Sequence, residues 1–252
     1  MARSSNRLGA PIRLTFERQL QRELAKLVRQ VRATLPAIHD VGDVKKLRAA
    51  LRREWSDARI LALVMEIGLK AEKDASAPWV RAGFDSIAIR TDAKFDGFKL
   101  LEKWAKTAAA YISSVREEVA EGLSRDVLEA AKKGIAPTAL AARWRSKGIP
   151  LLFGTLEGRT KVIAQNQIST LHAQVQSARA RAVGVTEFTW RTQGDSRVRP
   201  AHRSLEGTQH SYAEPPSEGL PGTPINCRCW AESVIPDELI EGITLGKRIS
   251  TR

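Results

Sequence analysis

The sequence predicts a mainly helical α+β protein, in which a helical N-terminal and central region is followed by a small C-terminal α+β module with irregular Pro/Gly-rich loops. Three observations predict it. Apolar residues recur at spacings of three and four over long stretches between residues 16 and 183, the stripe of an amphipathic helix. A clear period-two alternation occurs at 187–192, as in a half-buried strand. Gly and Pro accumulate from 207 to 226, where turns must replace regular ladders. With 252 residues, 42% of them hydrophobic, the chain can bury one large core or two small ones.

Phe16, Leu20, Leu24, Leu27, Val31 and Leu35 form the first stripe, so a helix is expected up to Pro36, with a basic polar face. After the turn at Asp40–Asp43, residues from Val44 to about Lys73 predict one or two helices, with Trp55, Leu61, Val64 and Ile67 as core candidates and Ala77-Pro78 as the break. Ser86-Ile87-Ala88-Ile89 is compatible with either a strand or an extended loop.

Leu101, Trp104, Ala108, Tyr111, Val115 and Val119 predict a helix over Phe98–Glu121, with Gly122 as its end. Ser124–Lys133, the turn Gly134-Ile135-Ala136 and Pro137–Ser146 read as an αα-hairpin. Arg143, Arg145 and Lys147 on its second helix also fit a DNA-reading helix-turn-helix, but packing hairpins are the commoner use of this motif. Ala164, Ile168, Leu171, Val175, Ala178 and Ala182 define a long helix over Thr160–Val183, with Gly184 as its cap. Phe188, Trp190 and Thr192 then alternate with Glu187, Thr189 and Arg191 in a strand.

Lys and Arg number 41 against 28 Asp and Glu, a net +13 with a pI near 10.2, which draws polyanions and makes nucleic acid the first partner to consider. The first 59 residues carry fourteen Lys or Arg and six Asp or Glu, a local +8. Arg18, Arg22, Arg29, Arg32, Lys45, Lys46, Arg52 and Arg53 are the candidate DNA-proximal residues. No nucleic-acid-binding signature accompanies them, so solvated helix faces explain the same charge. There is no apolar run of about 18 residues and no signal-like h-region after the basic N-terminus, so a soluble, unsecreted protein without a membrane partner is expected. Cys227 and Cys229 stand one residue apart, too close for an unstrained disulfide and suited to a reducing cytoplasm.

The informative stretch runs through Trp190-Arg191-Thr192-Gln193-Gly194-Asp195, Arg197-Val198-Arg199, Ala201-His202, Leu205-Glu206-Gly207 and Pro221-Gly222-Thr223-Pro224-Ile225-Asn226-Cys227-Arg228-Cys229. With Ile163-Ala164 and Gly184 preceding it in order, the set resembles the phage Mu F-like minor head protein family, that of phage head morphogenesis proteins. The resemblance covers 160–234 closely and extends faintly back to about 98. It divides the chain into a basic helical N-terminal region (1–97), a helical region with the αα-hairpin (98–159), a Mu F-like module (160–235) and a C-terminal tail (236–252).

The resemblance implies a minor capsid protein of a tailed phage, present in few copies. It would be assembled in the host cytoplasm and lodged inside the virion at or near the portal vertex, acting in head assembly or DNA delivery. Implied partners are the portal protein, the major capsid or scaffold protein and, non-specifically, packaged DNA. The basic surface is compatible with the last through counterion release.

His202, Cys227 and Cys229 are soft donors suited to zinc, and a structural zinc site normally takes four ligands. Some relatives carry Cys-x-x-Cys where this chain has Arg199-Pro200-Ala201-His202, leaving His210 or Asp195 to complete a set. The reading preferred on these residues is a structural network of Trp190, Asp195, Arg197, Arg199, His202, Gly207 and Arg228. In it Asp195 accepts turn amides or pairs with Arg199 or Arg228, while the thiols fill a core. Two rivals are a DNA-directed, metal-assisted hydrolase (a nuclease) working through Asp195, His202 and Cys227 and a non-specific DNA-binding module. The absence of a Gly-Lys-Ser/Thr loop, a Gly-x-Ser-x-Gly turn and paired carboxylates speaks against an enzyme, and no catalytic residue is assigned.

Overall fold

The computed structural model describes residues 14–34, 38–83, 95–147 and 153–241. In chain order these form α1 (Leu14–Thr34), α2 (Val41–Glu54), α3 (Asp57–Ala82), α4 (Gly97–Lys132), α5 (Pro137–Lys147), α6 (Phe153–Ala182), β1 (Glu187–Arg191), the short α7 (Pro200–Ser204), β2 (Gln209–Ser211) and β3 (Trp230–Val234). The mainly helical α+β class is that read from the sequence. The alternation at 86–89 lies outside the described residues.

Two helices run through the residues expected to end them. Pro78 lies inside α3, although proline has no N–H for the helix ladder. The helix continues because its apolar face does: Ala75 and Trp79 are buried on either side of Pro78, and the Ala75 carbonyl accepts a bond from Gln176 Nε2 at 2.7 Å. Likewise Gly122 does not end α4, and Ser124–Lys132 belongs to the same helix. An interior glycine costs about 0.5–1 kcal/mol relative to alanine, less than the burial of Val119, Leu123, Val127 and Ala130 on the continuous stripe returns.

Where glycine does end helices, the capping bonds are explicit. After α4, Gly134 takes φ +64, with Ile135 N bonded to Ala130 O at 2.9 Å and Gly134 N to Ala131 O at 3.1 Å. After α6, Gly184 at φ +84 repeats the pattern with Val185 N to Ala180 O at 2.9 Å and Gly184 N to Arg181 O at 3.1 Å. Both are Schellman caps.

The residues gather into two compact units. The first comprises Thr15–Ile67 and Lys103–Gln165. Its core joins Leu27 and Val28 of α1, Val44, Leu47 and Leu51 of α2, Val115 to Ala130 of α4, and Leu140 and Trp144 of α5. Trp55 is partly buried against this core. Val64 and Ile67 are fully buried, while Ile60 is the buried residue at the start of α3 and Leu61 is half-buried. An ionic cluster lies beside the core: Glu117 accepts from Arg48 at 2.6 and 2.8 Å and from Arg52 at 2.9 Å. Buried Arg116 reaches Asp57 at 3.1 Å and the Trp55 carbonyl.

The second unit contains the described residues of Gly68–Glu102 and Asn166–Arg252. Its three-stranded antiparallel sheet has the order β2-β1-β3, with Phe188 opposite His210 and Trp190 opposite Ala231. Phe188 and Trp190 alternate inward as the period-two pattern predicts. They pack with Trp79, Ala180, Val183, Val185, Tyr212, Cys227 and Cys229.

Candidate functional site

The site is built on the inner face of β1. Trp190 is fully buried and meets the His202 ring edge-on, with centroids 5.4 Å apart at 71°. Its backbone is locked at both ends, since Trp190 N donates to Thr208 O and Gly207 N to Trp190 O, both at 2.9 Å. Gly207 bends back to make this pair at φ +76, a conformation L-residues with side chains rarely adopt. Outside the sheet, Arg191 bridges Glu232 at 2.6 Å and Glu206 at 3.5 Å, and Glu206 also accepts from Thr192 N at 2.6 Å.

Asp195 organises the loop after β1. Its carboxylate accepts from its own turn at Arg197 N, 3.1 Å, and from Arg228 at 2.5 and 2.6 Å, so Arg228 rather than Arg199 is its partner. The hydrogen bond from Arg228, helped by the Arg197 amide, holds the carboxyl below the usual carboxylate range. Arg199 instead donates to the carbonyl of Ile225. That carbonyl belongs to a tight turn closed by Cys227 N to Pro224 O at 2.9 Å, with Asn226 at φ +59. Positive φ at the third turn residue is what a type II turn demands, and asparagine is among the few residues that take it readily.

The turn delivers Cys227 and Cys229 to His202. Exposure of the three residues is 4%, 7% and 2%, and His202 Nδ1 lies 3.4 Å from Cys227 Sγ and 3.6 Å from Cys229 Sγ. Both cysteines are free. The other imidazole nitrogen, Nε2, is 3.1 Å from Glu218 Oε2. Cys227 Sγ receives the amides of Gly222 and Cys229, each at 3.4 Å. Above all the adjacent Cys229 thiol, and then these amides, pull the Cys227 thiol down to about 6. Cys229 is correspondingly pushed up by its sulfur neighbour and by burial.

Among the described residues, His202, Cys227 and Cys229 are the group of His, Cys and carboxylate side chains whose donor atoms converge, all within 4.8 Å of one another. The two side chains considered as a fourth donor do not join them. Asp195 is taken up by Arg228, and His210 bonds Thr208 at 2.7 Å and lies against Phe188.

Glu218 completes the site and was not singled out from the sequence, whereas Gly222, Ile225 and Asn226 stood in the signature stretch without an assigned role. Pro221-Gly222 and Asn226 carried a local turn signal. Glu218 and the Ile225 carbonyl carried none, because their partners come from α7 and the residue before it.

The basic residues of the N-terminal quarter lie elsewhere. Arg18, Arg22 and Arg29 are exposed on α1, and Lys45 and Arg53 on α2. Lys46 pairs with Asp43 at 3.2 Å and Arg52 with Glu117 at 2.9 Å, so these two present less free charge. The Arg32 side chain, like those of Arg145 and Lys147, lies outside the described residues. Among the described residues, no helix is long and apolar enough to cross a membrane.

Residues 121–232 match the family described as Phage Mu protein F like protein. A protein of Haemophilus influenzae, described only as uncharacterized, is 34% identical over 119 residues, which is 47% of this chain and 26% of that protein. The match thus spans about a quarter of the relative's length. No solved structure matches. The matched span holds the end of α4, the hairpin into α5, all of α6, the β1 tryptophan, the Asp195–Arg228 pair and the Cys-x-Cys turn, and it is over these residues that the chain is similar to the phage Mu protein F-like family.

Proposed function

We propose that the protein is a minor structural component of a tailed-phage head, lodged at or near the portal vertex and facing packaged DNA, with a role in head assembly or DNA delivery. The observation that carries this reading is the family match over residues 121–232, whose signature side chains close on one another as a clasp. Asp195, Arg199 and Arg228 are each spent on holding loops together. That use of charge suits a rigid docking knob better than a hydrolytic centre, where a carboxylate must be left available to a substrate or water. The portal, the major capsid or scaffold protein and the packaged DNA are the proposed partners. The net charge of +13 and the exposed Arg18, Arg22 and Arg29 support the last.

The test is to deplete the protein in a strain producing the particles and to follow both particle yield and the protein's own fate. Expected is its recovery at low copy number in purified heads, together with the portal, and a loss of infectious particles on depletion. Accumulation as a free species, with infectious yield unchanged by depletion, overturns the reading.

A further inference from the structure

We propose that His202 Nδ1, Cys227 Sγ and Cys229 Sγ bind one zinc ion, with Glu218 fixing the imidazole from behind and a fourth coordination position opening into the pocket between Arg199 and Asn226. The three donors and both flanking residues line that one pocket.

Distances carry the first part of the argument. A tetrahedral zinc with Zn–S of about 2.3 Å and Zn–N of about 2.1 Å holds a sulfur and an imidazole nitrogen roughly 3.6 Å apart. The two S···Nδ1 separations are 3.4 and 3.6 Å, and both sulfurs face the same nitrogen.

The surroundings of the sulfurs carry the second part. Cys227 Sγ is met by the amides of Gly222 and Cys229. Trp190 Nε1, on the residue that meets the His202 ring, is a buried donor with no hydrogen-bond partner. Two backbone N–H groups aimed at the buried Cys227 sulfur suit a thiolate better than a thiol. Two thiolates beside a neutral imidazole give a net charge of −2, which a divalent cation cancels, so the filled site is neutral where burial penalises net charge. Soft sulfur donors with one imidazole select zinc over magnesium, calcium or manganese.

The third part is the carboxylate behind the histidine. Glu218 Oε2 is 3.1 Å from His202 Nε2, so Nε2 carries the proton and the lone pair of Nδ1 points at the sulfurs. A carboxylate that fixes the tautomer of a ligating histidine in this way is the usual outer-shell partner of zinc. Arg228, between the two cysteines in sequence, has its charge offset by Asp195 and does not compete for the site. Arg199 is tied to the Ile225 carbonyl and supplies no ligand, so solvent or a small exogenous ligand completes the tetrahedron.

The test uses the full chain, purified without chelator and dialysed against metal-free buffer. Elemental mass spectrometry is expected to find about one zinc per chain. Replacing it with cobalt is expected to give thiolate-to-cobalt charge-transfer absorption, which Cys229→Ser abolishes. Because Cys229→Ser can lose the fold, Glu218→Gln provides a milder variant. It is expected to keep the helical circular dichroism while weakening zinc about 10–100-fold in competition with a chromophoric chelator. The site is overturned by a folded protein that takes up no zinc and shows no cobalt–thiolate band. It is equally overturned by zinc affinity unchanged in both variants, which would put the metal elsewhere.

Discussion

The indole nitrogen of Trp79 donates to the side-chain carbonyl of Gln176 at 2.6 Å, across 97 residues of sequence. The amide end of the same Gln176 donates to the Ala75 carbonyl at 2.7 Å, one turn before Trp79 on α3. Both side chains are buried, so neither bond is exchanged for water at little expense. Gln176 thereby fastens α6 to α3 beside Pro78, where the helix ladder has lost a donor.

Gln176→Leu keeps a similar side-chain volume but removes the acceptor of the Trp79 indole N–H and the donor to the Ala75 carbonyl. We expect a loss of about 2–4 kcal/mol, since each buried polar group left unsatisfied costs about 1–3 kcal/mol. Chemical denaturation measures it. A loss below about 0.5 kcal/mol would show that water or a neighbouring group replaces the glutamine.

Glycines at two positions separate conformational strain from lack of space. At Gly184, φ is +84 and nothing lies within 4 Å of an added Cβ, so Gly184→Ala is expected to cost about 1–2 kcal/mol through backbone strain alone. At Gly222, φ is +93 and the added Cβ meets the Cys229 carbonyl at 3.3 Å and the Ser169 carbonyl at 3.5 Å. Gly222→Ala should therefore cost more than Gly184→Ala and should also disturb the Gly222 amide on Cys227. Thermal unfolding of the two variants side by side checks the order, and the reverse order contradicts the geometry.

Glu117 gives the first unit a pH-dependent term. Its carboxyl is held down to about 2, first by the hydrogen bond from Arg52 and then by Arg48 and both charges, against an ordinary value of 4.5. The folded-state value is depressed, so the stabilisation is fully present above about pH 4.5 and is lost as pH falls towards 2. The side chain is 24% exposed, so solvent reduces the effect to about 1–2 kcal/mol. The stability difference between the native chain and Glu117→Gln is expected to be flat above pH 5 and to shrink between 4.5 and 2. A difference that stays constant to pH 2 contradicts the ion-pair origin.

What could be read from the sequence followed how local each determinant is. The stripes of α1, α4 and α6, the caps at Gly134 and Gly184 and the alternation of Phe188 and Trp190 depend on neighbours within a turn or two, and those neighbours were visible. The ordered Asp195, His202 and Cys227-x-Cys229 set could be found because its spacing is itself a pattern. Pro78 and Gly122 misled as breakers because burial of the surrounding stripe outweighed local penalties of about 3 kcal/mol for the proline and about 1 kcal/mol for the glycine. The choice of Arg228 over Arg199 for Asp195, the Glu218–His202 contact and the Gln176 bridge were not readable, since each depends on how segments 16 to 101 residues apart are brought together.

The proposed DNA-facing surface makes a quantitative demand on α1. Arg18, Arg22 and Arg29 project from it at spacings of four and seven, one side of a helix, and are exposed. If they meet phosphates, each releases counterions on binding, and the logarithm of affinity for duplex DNA falls with the logarithm of salt by about 0.9 per contact. Replacing all three by Ser is expected to reduce that slope by roughly 2–3 and to weaken binding alike on unrelated sequences. Replacing Lys46 and Arg52, already paired with Asp43 and Glu117, should change the slope less. Fluorescence anisotropy across a salt series measures both. An unchanged slope in the triple variant removes α1 from the DNA-facing surface, and the excess charge then serves only as a solvated helix face.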